Sequence, residues 1–301
     1  PLYYYQDEKT FIFCSDLTFI NSINSNNQID RSAIFELINK GYISSPKSIY
    51  KNVKKVLPAN IIEINLVNLN INPKQYWSGK KVIKNNYNKY NNISEKEVLT
   101  ILDNKITDVV EDHLISDVEV GSLLSGGIDS SLITSYVSKI YSKKIKTFTV
   151  GFENINYDES NIARDVSRYL KTNHKEIIIN TNDCIDAVEK LNKIYSEPFA
   201  DSSQIPTFIV SKHASQYVKV VLTGDGGDEL FGGYNRYILV KKILSNSNFV
   251  KQSLKKIIKL FSYNSWNNIF TAINYFNKNN NVVSQPADKI FKVLDILNSK
   301  N

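Results

Sequence analysis

Methionine occurs nowhere in these 301 residues, and there are only two cysteines and three histidines. Cys14 and Cys184 stand far apart, without the spacing of a zinc site or a disulfide framework, so both are excluded and a reducing, cytoplasmic setting is the simple reading. His113, His174 and His213 are equally isolated and read as structural or surface residues. No apolar run is long enough to cross a bilayer, and no N-terminal stretch reads as a signal peptide, so no membrane partner is expected. A chain that begins at Pro1 without an initiator is expected to be a piece of a longer protein.

Charge of one sign is not lacking: 37 Lys and Arg against 30 Asp and Glu leave a net charge of +7. The lysines are dispersed among asparagines and no nucleic-acid reader motif occurs, so no nucleic-acid partner is expected. The length suffices for about two domains with a sizeable core.

The most informative stretch runs from 118 to 138. Val118-Glu119-Val120-Gly121-Ser122-Leu123-Leu124 reads as a buried strand, and Leu132, Ile133, Tyr136, Val137 and Ile140 recur at helical spacing. Between them lies Ser125-Gly126-Gly127-Ile128-Asp129-Ser130-Ser131. Two glycines let a backbone approach a ligand closely, and the free amides of a helix start attract an anion, phosphate above all. Hydroxyls of Ser125, Ser130 and Ser131 can donate to phosphate, whereas Asp129 would repel it unless a divalent metal, Mg2+, lies between them. The plainer alternative is a turn before a helix capped by Asp129 or Ser130. No Gly-Lys-Ser/Thr follows the glycines, which excludes the Walker loop.

Around this centre the chain orders itself. Residues 1–77 read as a small α+β piece: strands at 2–5 and 10–13 joined by a turn, a helix through Ile34, Phe35, Leu37 and Ile38 ended by Gly41, and strands at 61–64 and 71–77. A Lys-, Asn- and Tyr-rich stretch at 78–92 reads as a linker. A helix at 93–114 follows, with Ser94 and Glu97 placed as a capping box. Strands are expected at 145–152, 176–179 and 218–222, and helices at 158–170, 183–195 and 205–216. Such alternation predicts an α/β fold with a doubly wound parallel sheet, whose ligands sit beyond the carboxyl ends of the strands. The last strand leads into Thr223-Gly224-Asp225-Gly226-Gly227-Asp228-Glu229-Leu230-Phe231-Gly232-Gly233-Tyr234. Three carboxylates within five positions repel one another unless cations or protons intervene, as a metal-bound pyrophosphate would. Past Tyr237, Ile243, Phe249, Val250, Leu254, Ile257, Ile258 and Leu260 predict amphipathic helices packed on the catalytic domain, with a basic membrane-surface helix as the lesser alternative.

Ser125 to Ser131 resembles the SGGxDS signature of the N-type ATP pyrophosphatases, which cleave ATP between its α and β phosphates. Thr223 to Tyr234 is similar to the signature of the asparagine synthetases. The opening Pro1-Leu2-Tyr3-Tyr4-Tyr5, the segment 41–50 and Gln75-Tyr76-Trp77 resemble the later part of the glutaminase domain of the glutamine-dependent members. Their nucleophile is an N-terminal cysteine, which this chain starts too late to contain; Cys14 does not match it. The resemblance divides the chain into the end of a glutaminase-type domain at 1–78, a linker at 79–93, and an ATP-dependent synthetase domain from 94 to 301, cut short at its C-terminus.

For the chemistry, the resemblance implies ATP and Mg2+, with Asp129 and Asp228 holding the metal on pyrophosphate and Asp225 beside an acyl-adenylate and incoming ammonia. Leu123, Leu124, Ser125, Gly126, Gly127, Ser130, Val150, Thr223 and Gly224 would touch the nucleotide, while Glu197, Asp201 and Glu229 are candidates on the substrate side. Aspartate is the expected acceptor and ammonia, from glutamine in the full-length protein, the donor. Another carboxylate in an amidating or ring-closing relative, or a module that only binds nucleotide, are the alternatives, and the oligomeric state stays open, a homodimer included.

Overall fold

In the computed structural model, which describes residues 1–23, 27–153, 158–276 and 286–298, the chain divides into two compact units, Pro1–Gly224 and Asp225–Asn301. The first unit opens with an antiparallel hairpin of β1 (Tyr3–Gln6) and β2 (Phe11–Cys14). Its turn is held by Asp7, whose Oδ1 accepts the amides of Lys9 and Thr10 at 2.9 and 2.7 Å. Two short helices follow, α1 (Leu17–Ile23) and α2 (Arg31–Lys40). The second starts on an Asp30 cap and ends, as expected, on Gly41 in the left-handed region at φ 84°. Strand β3 (Val53–Lys55) pairs with the other side of β1, and Tyr3, Leu17, Ile20 and Val53 close a core between these elements. Neither α1 nor β3 was expected. A separate two-stranded sheet of β4 (Asn60–Ile64) and β5 (Ile71–Gln75) completes the piece.

The stretch expected to be linker contains a helix, α3 (Gly79–Asn86), capped by Ser78 and burying no residue. A side-chain cap suffices to start two turns without any core to pack on. Helix α4 (Glu95–Leu114) begins with the expected capping box: Ser94 Oγ accepts the Glu97 amide while Glu97 returns a carboxylate to the Ser94 amide.

Next comes the α/β layer: β6 (Val120–Leu123), α5 (Ile128–Ile140), β7 (Lys146–Phe152), α6 (Ser160–Leu170), β8 (Asn173–Ile179), α7 (Thr181–Ile194), α8 (Gln204–Ala214) and β9 (Val220–Leu222). The four strands are parallel in the order β8-β7-β6-β9. Successive side chains of a strand face opposite ways, and Val221 accordingly packs against Phe148, Val210 and Ala214 while Leu222 joins Val110, Tyr136 and Val137. Helices therefore cover both faces, and the sheet is doubly wound as predicted. Because the chain runs from β6 outward to β8 and then returns to place β9 on the other side, the strand order reverses between β6 and β9. That is where ligands of such sheets bind. Gly224, directly after β9, fits there only as glycine: a β-carbon would lie 2.7 Å from the Ser130 amide nitrogen and 2.8 Å from the Asp129 carbonyl carbon.

The N-terminal piece docks on this layer through the segment between α7 and α8. Ser196 Oγ accepts the Leu17 amide at 3.0 Å, the Ala200 amide donates to the Gly41 carbonyl at 2.7 Å, and Glu197 Oε1 accepts the Ile49 amide at 2.9 Å. Glu197 also pairs with Lys55, the two side chains being only 10% and 7% exposed. Lys55 Nζ donates further to the Ile43 carbonyl at 2.7 Å, and the Tyr3 hydroxyl reaches Glu197 Oε2 at 3.4 Å. Burial, reinforced by Glu197, pushes the Tyr3 hydroxyl pKa up.

Among its described residues the second unit holds the five-residue helix α9 (Gly227–Phe231) and four longer helices, α10 (Asn235–Ser245), α11 (Asn248–Leu260), α12 (Tyr263–Phe276) and α13 (Pro286–Asn298). The expected apolar stripes meet in a cluster of their own, with Ile243, Ile258, Leu294 and Leu297 at its centre. Phe249 and Leu260 point outward.

These contacts have measurable consequences. Lys55→Met leaves the Glu197 carboxylate buried without its cation and is expected to cost about 3–5 kcal/mol in urea unfolding, most of it recovered in the Lys55→Met, Glu197→Leu double variant. Gly224→Ala is expected to unfold at lower denaturant concentration than the parent, because the clash is with backbone that no rotamer relieves. His174 lies against β7, its Nδ1 2.9 Å from Thr147 Oγ1, and burial holds its pKa below the ordinary histidine range. The stability tied to neutral His174 is therefore complete above about pH 6.5 and lost as pH falls through that value toward the lower folded-state pKa. An NMR titration following the His174 ring checks the direction.

Candidate active site

The loop after β6 is tied to its neighbours on every side. The Leu124 amide donates to the Phe148 carbonyl at 2.9 Å, and the Thr149 hydroxyl donates to the Leu124 carbonyl. Ser125 and Ser130 bridge the loop itself: their hydroxyls lie 2.9 Å apart, and the Ser125 amide donates to Ser130 Oγ at 3.2 Å. The two hydroxyls expected on phosphate thus also set the loop's shape. Ser131 Oγ is buried and has no hydrogen-bond partner among the described residues.

Gly126 is left-handed at φ 82°, and a β-carbon there would come within 3.0 Å of Ile162 and the Ala163 amide on α6. Sterics and torsion both require glycine. The helix then starts at Ile128 with Gly127 as cap and no side chain bonded to its first amides. This corrects the alternative reading in which Asp129 or Ser130 caps the helix. Asp129 instead lies within the first turn, half-buried, beside amides that no side-chain cap engages.

An open cavity of about 360 Å3 lies at the carboxyl ends of β6 and β7. Leu123, Leu124, Ser125 and Val150, all expected to touch a nucleotide, line it together. Its floor is apolar, through Phe148 and Val210, and Glu159 and Thr207 add polar groups. Thr207 ends the stretch from Glu197 that the sequence offers as a substrate-side loop, whereas Glu159 is singled out by nothing but its position just after β7. Near this rim Asp158 accepts the Ser160 hydroxyl and amide, both at 3.0 Å, and these bonds hold its pKa below the usual carboxylate range. A larger hollow of about 480 Å3, lined by Arg164, Lys171 and Glu176, lies toward the amino-terminal ends of β7 and β8 and holds none of the expected residues.

Thr223 and Gly224 end the first unit, with Gly224 seated against Asp129 and Ser130. The two motifs, a hundred residues apart in the chain, therefore meet where each leaves its strand. Asp225, Asp228 and Glu229 belong to the second unit. There Gly226 is left-handed at φ 91°, and the Asp228 carboxylate lies so close over Gly233 that a β-carbon would be 1.9 Å from Oδ1. Glu229 Oε1 accepts the Tyr234 hydroxyl at 2.7 Å.

The two other acids expected on the substrate side are engaged elsewhere. Glu197 is in the docking contact with Lys55 and Ile49, and exposed Asp201 accepts the Ser203 amide at 2.9 Å in the turn before α8, a bond that lowers its pKa. Neither lines the cavity; the segment they open reaches it through Pro206 and Thr207.

The sequence model of the asparagine synthase family matches residues 102–282, and that of a glutamine amidotransferase domain matches residues 1–77. Asparagine synthetase [glutamine-hydrolyzing] 1 of Bacillus subtilis is 33% identical over 79% of the chain and 36% of its own length. A Methanocaldococcus jannaschii protein provisionally named asparagine synthetase [glutamine-hydrolyzing] 2 is 38% identical over 79% of the chain and 45% of its own length. The chain thus spans less than half the length of these relatives. Among solved structures, an NH3-dependent NAD synthetase from Campylobacter jejuni aligns over 44% of this chain and 58% of its own at 21% identity, with a TM-score of 0.33. With a family match over more than half its residues, on the segment that carries both loops, the chain belongs to the asparagine synthase family.

Proposed function

We propose that this chain carries the ATP-dependent half of an asparagine synthesis: amidation of aspartate through a β-aspartyl-adenylate, with release of AMP and pyrophosphate. The observation that carries the reading is the meeting of the two motif loops at the strand reversal, Gly224 against Asp129 and Ser130, beside a cavity lined by Leu123, Leu124, Ser125 and Val150. An apolar floor with a polar rim suits a nucleoside base and sugar. The uncapped amides from Ile128 onward suit its phosphates.

Among the described residues no group of three or more His, Cys, Asp or Glu gathers into a metal cage. Carboxylates of the kind carried by the two loops suit Mg2+, which takes one or two carboxylates together with phosphate oxygens and water. Asp129 and Asp228 are the residues that would hold it. Bound there, Mg2+ would neutralise charge on the leaving pyrophosphate.

The chain's own groups do the rest. The α5 amides and the loop glycines hold the triphosphate so that the aspartate side-chain carboxylate can attack the α-phosphorus; the bond to the β-phosphate oxygen breaks as the new oxygen–phosphorus bond forms. Ammonia then attacks the activated carbonyl, AMP leaves, and a carboxylate such as that of Asp225 acts as the base that takes the proton lost from nitrogen. The match of residues 1–77 to a glutamine amidotransferase domain supports glutamine as the source of ammonia in the longer protein.

Pyrophosphate release with Mg-ATP and ammonium, measured with and without aspartate on this chain and on forms extended at both ends, tests the reading. Aspartate-dependent release with asparagine as product is expected, and Asp228→Asn should lower it by about 100-fold or more, the usual loss when a leaving charge goes unstabilised. Undiminished release by that variant would remove Asp228 from the metal role. Release that depends on a different carboxylate would replace aspartate.

A further inference from the structure

Three residues within one five-residue segment carry contacts between the N-terminal piece and the α/β layer: Ser196 to Leu17, Glu197 to Lys55 and Ile49, and Ala200 to Gly41. From there the chain has little freedom. Pro198 fixes its own φ, Phe199 packs edge-on against Tyr195 with ring centres 4.8 Å apart, and Asp201 closes a turn on the Ser203 amide. Ser203 then accepts the Thr207 amide through its carbonyl at 3.0 Å, and Pro206 and Thr207 stand in the wall of the candidate nucleotide cavity. Ten residues thus run from a buried ion pair at one end to the cavity wall at the other.

We propose that Glu197 is a positioning residue: by latching the 196–201 segment to the N-terminal piece, it sets the wall formed by Pro206 and Thr207 and so couples docking of that piece to nucleotide affinity. The inference rests on the cavity being a nucleotide site. The charge arrangement favours a latch over a simple adhesive, because a buried ion pair adds little net stability yet tolerates only one geometry. A hydrophobic contact could slide, whereas two acceptor oxygens shared among Lys55, Ile49 and Tyr3 cannot.

The test uses the whole chain and a nonhydrolysable ATP analogue with Mg2+. By calorimetry Glu197→Gln is expected to weaken binding by at least about fivefold, the lower end of ordinary coupling between sites, while Ile20→Val, in the core of the same piece, leaves it unchanged. Coupling is reciprocal. In the unaltered protein, saturation with the analogue should slow amide exchange at Leu17 and Ile49, which donate to residues 196 and 197, relative to the amides pairing β1 with β2. A role confined to stability would not separate these two sets. Equal affinity in Glu197→Gln, or exchange that slows alike everywhere in the N-terminal piece, would overturn the proposal, and if the variant does not fold the exchange measurement decides alone. Absence of binding by the unaltered chain would overturn the nucleotide site itself, and the coupling with it.

Discussion

The close approach of Gly224 to the first turn of α5 is the constraint on which the rest of the site depends. The pairing of Ser122 with Leu222 brings the two strands to the same level, so that Leu123, the last residue of β6, and Thr223, the first after β9, follow from paired positions. From there the loops must share a space in which a single methyl group does not fit. Everything downstream inherits that position: the direction in which α5 points its free amides, the placement of Asp129, and the seat of Gly126 against α6. Backbone packed this tightly, with the Ser125 and Ser130 hydroxyls bridging it, leaves its surface open for a ligand rather than filled by the protein.

A different physics governs the join to the N-terminal piece. Within the α/β layer, apolar clusters on both faces of the sheet supply cohesion. At the join, polar groups do the orienting: backbone amides meet Ser196 and Glu197, and a lysine is drawn out of water to meet a carboxylate. Such a contact contributes specificity more than energy.

Much of this is legible in the amino-acid sequence. Buried parallel strands are short β-branched runs, and those at 118–124, 145–152 and 218–222 stand out because turn residues bound them. The Ser94 and Glu97 cap is local chemistry and was readable for the same reason. What escaped was set at long range. Strand β3 is Val53-Lys54-Lys55, and nothing in it says that the second lysine is buried, because its partner Glu197 is far away in the chain. That same pairing engages Glu197 at the join and away from the cavity wall, whereas motif position alone offers it as a substrate-side candidate. The alternative of a helix capped by Asp129 or Ser130 arises because Asp and Ser usually take that position. Here Gly127 does, leaving the side chains of Asp129 and Ser130 for other work.

The strand order also bears on how the chain acquires its shape. Strand β6 is the first of the layer to be made and ends up inside it, flanked by β7 on one side and by β9 on the other, with Val120 and Val220 paired across a hundred positions. During synthesis β6, β7 and β8 can join as soon as they emerge, but β6 then presents an unpaired edge until β9 arrives. Closing so distant a contact is slow, since the entropy of the intervening loop is lost before any bond forms. The loop after β6 therefore cannot take its final form until the second motif has left the ribosome, and the interval before it does is when a newly made chain is most exposed to pairing with a neighbour.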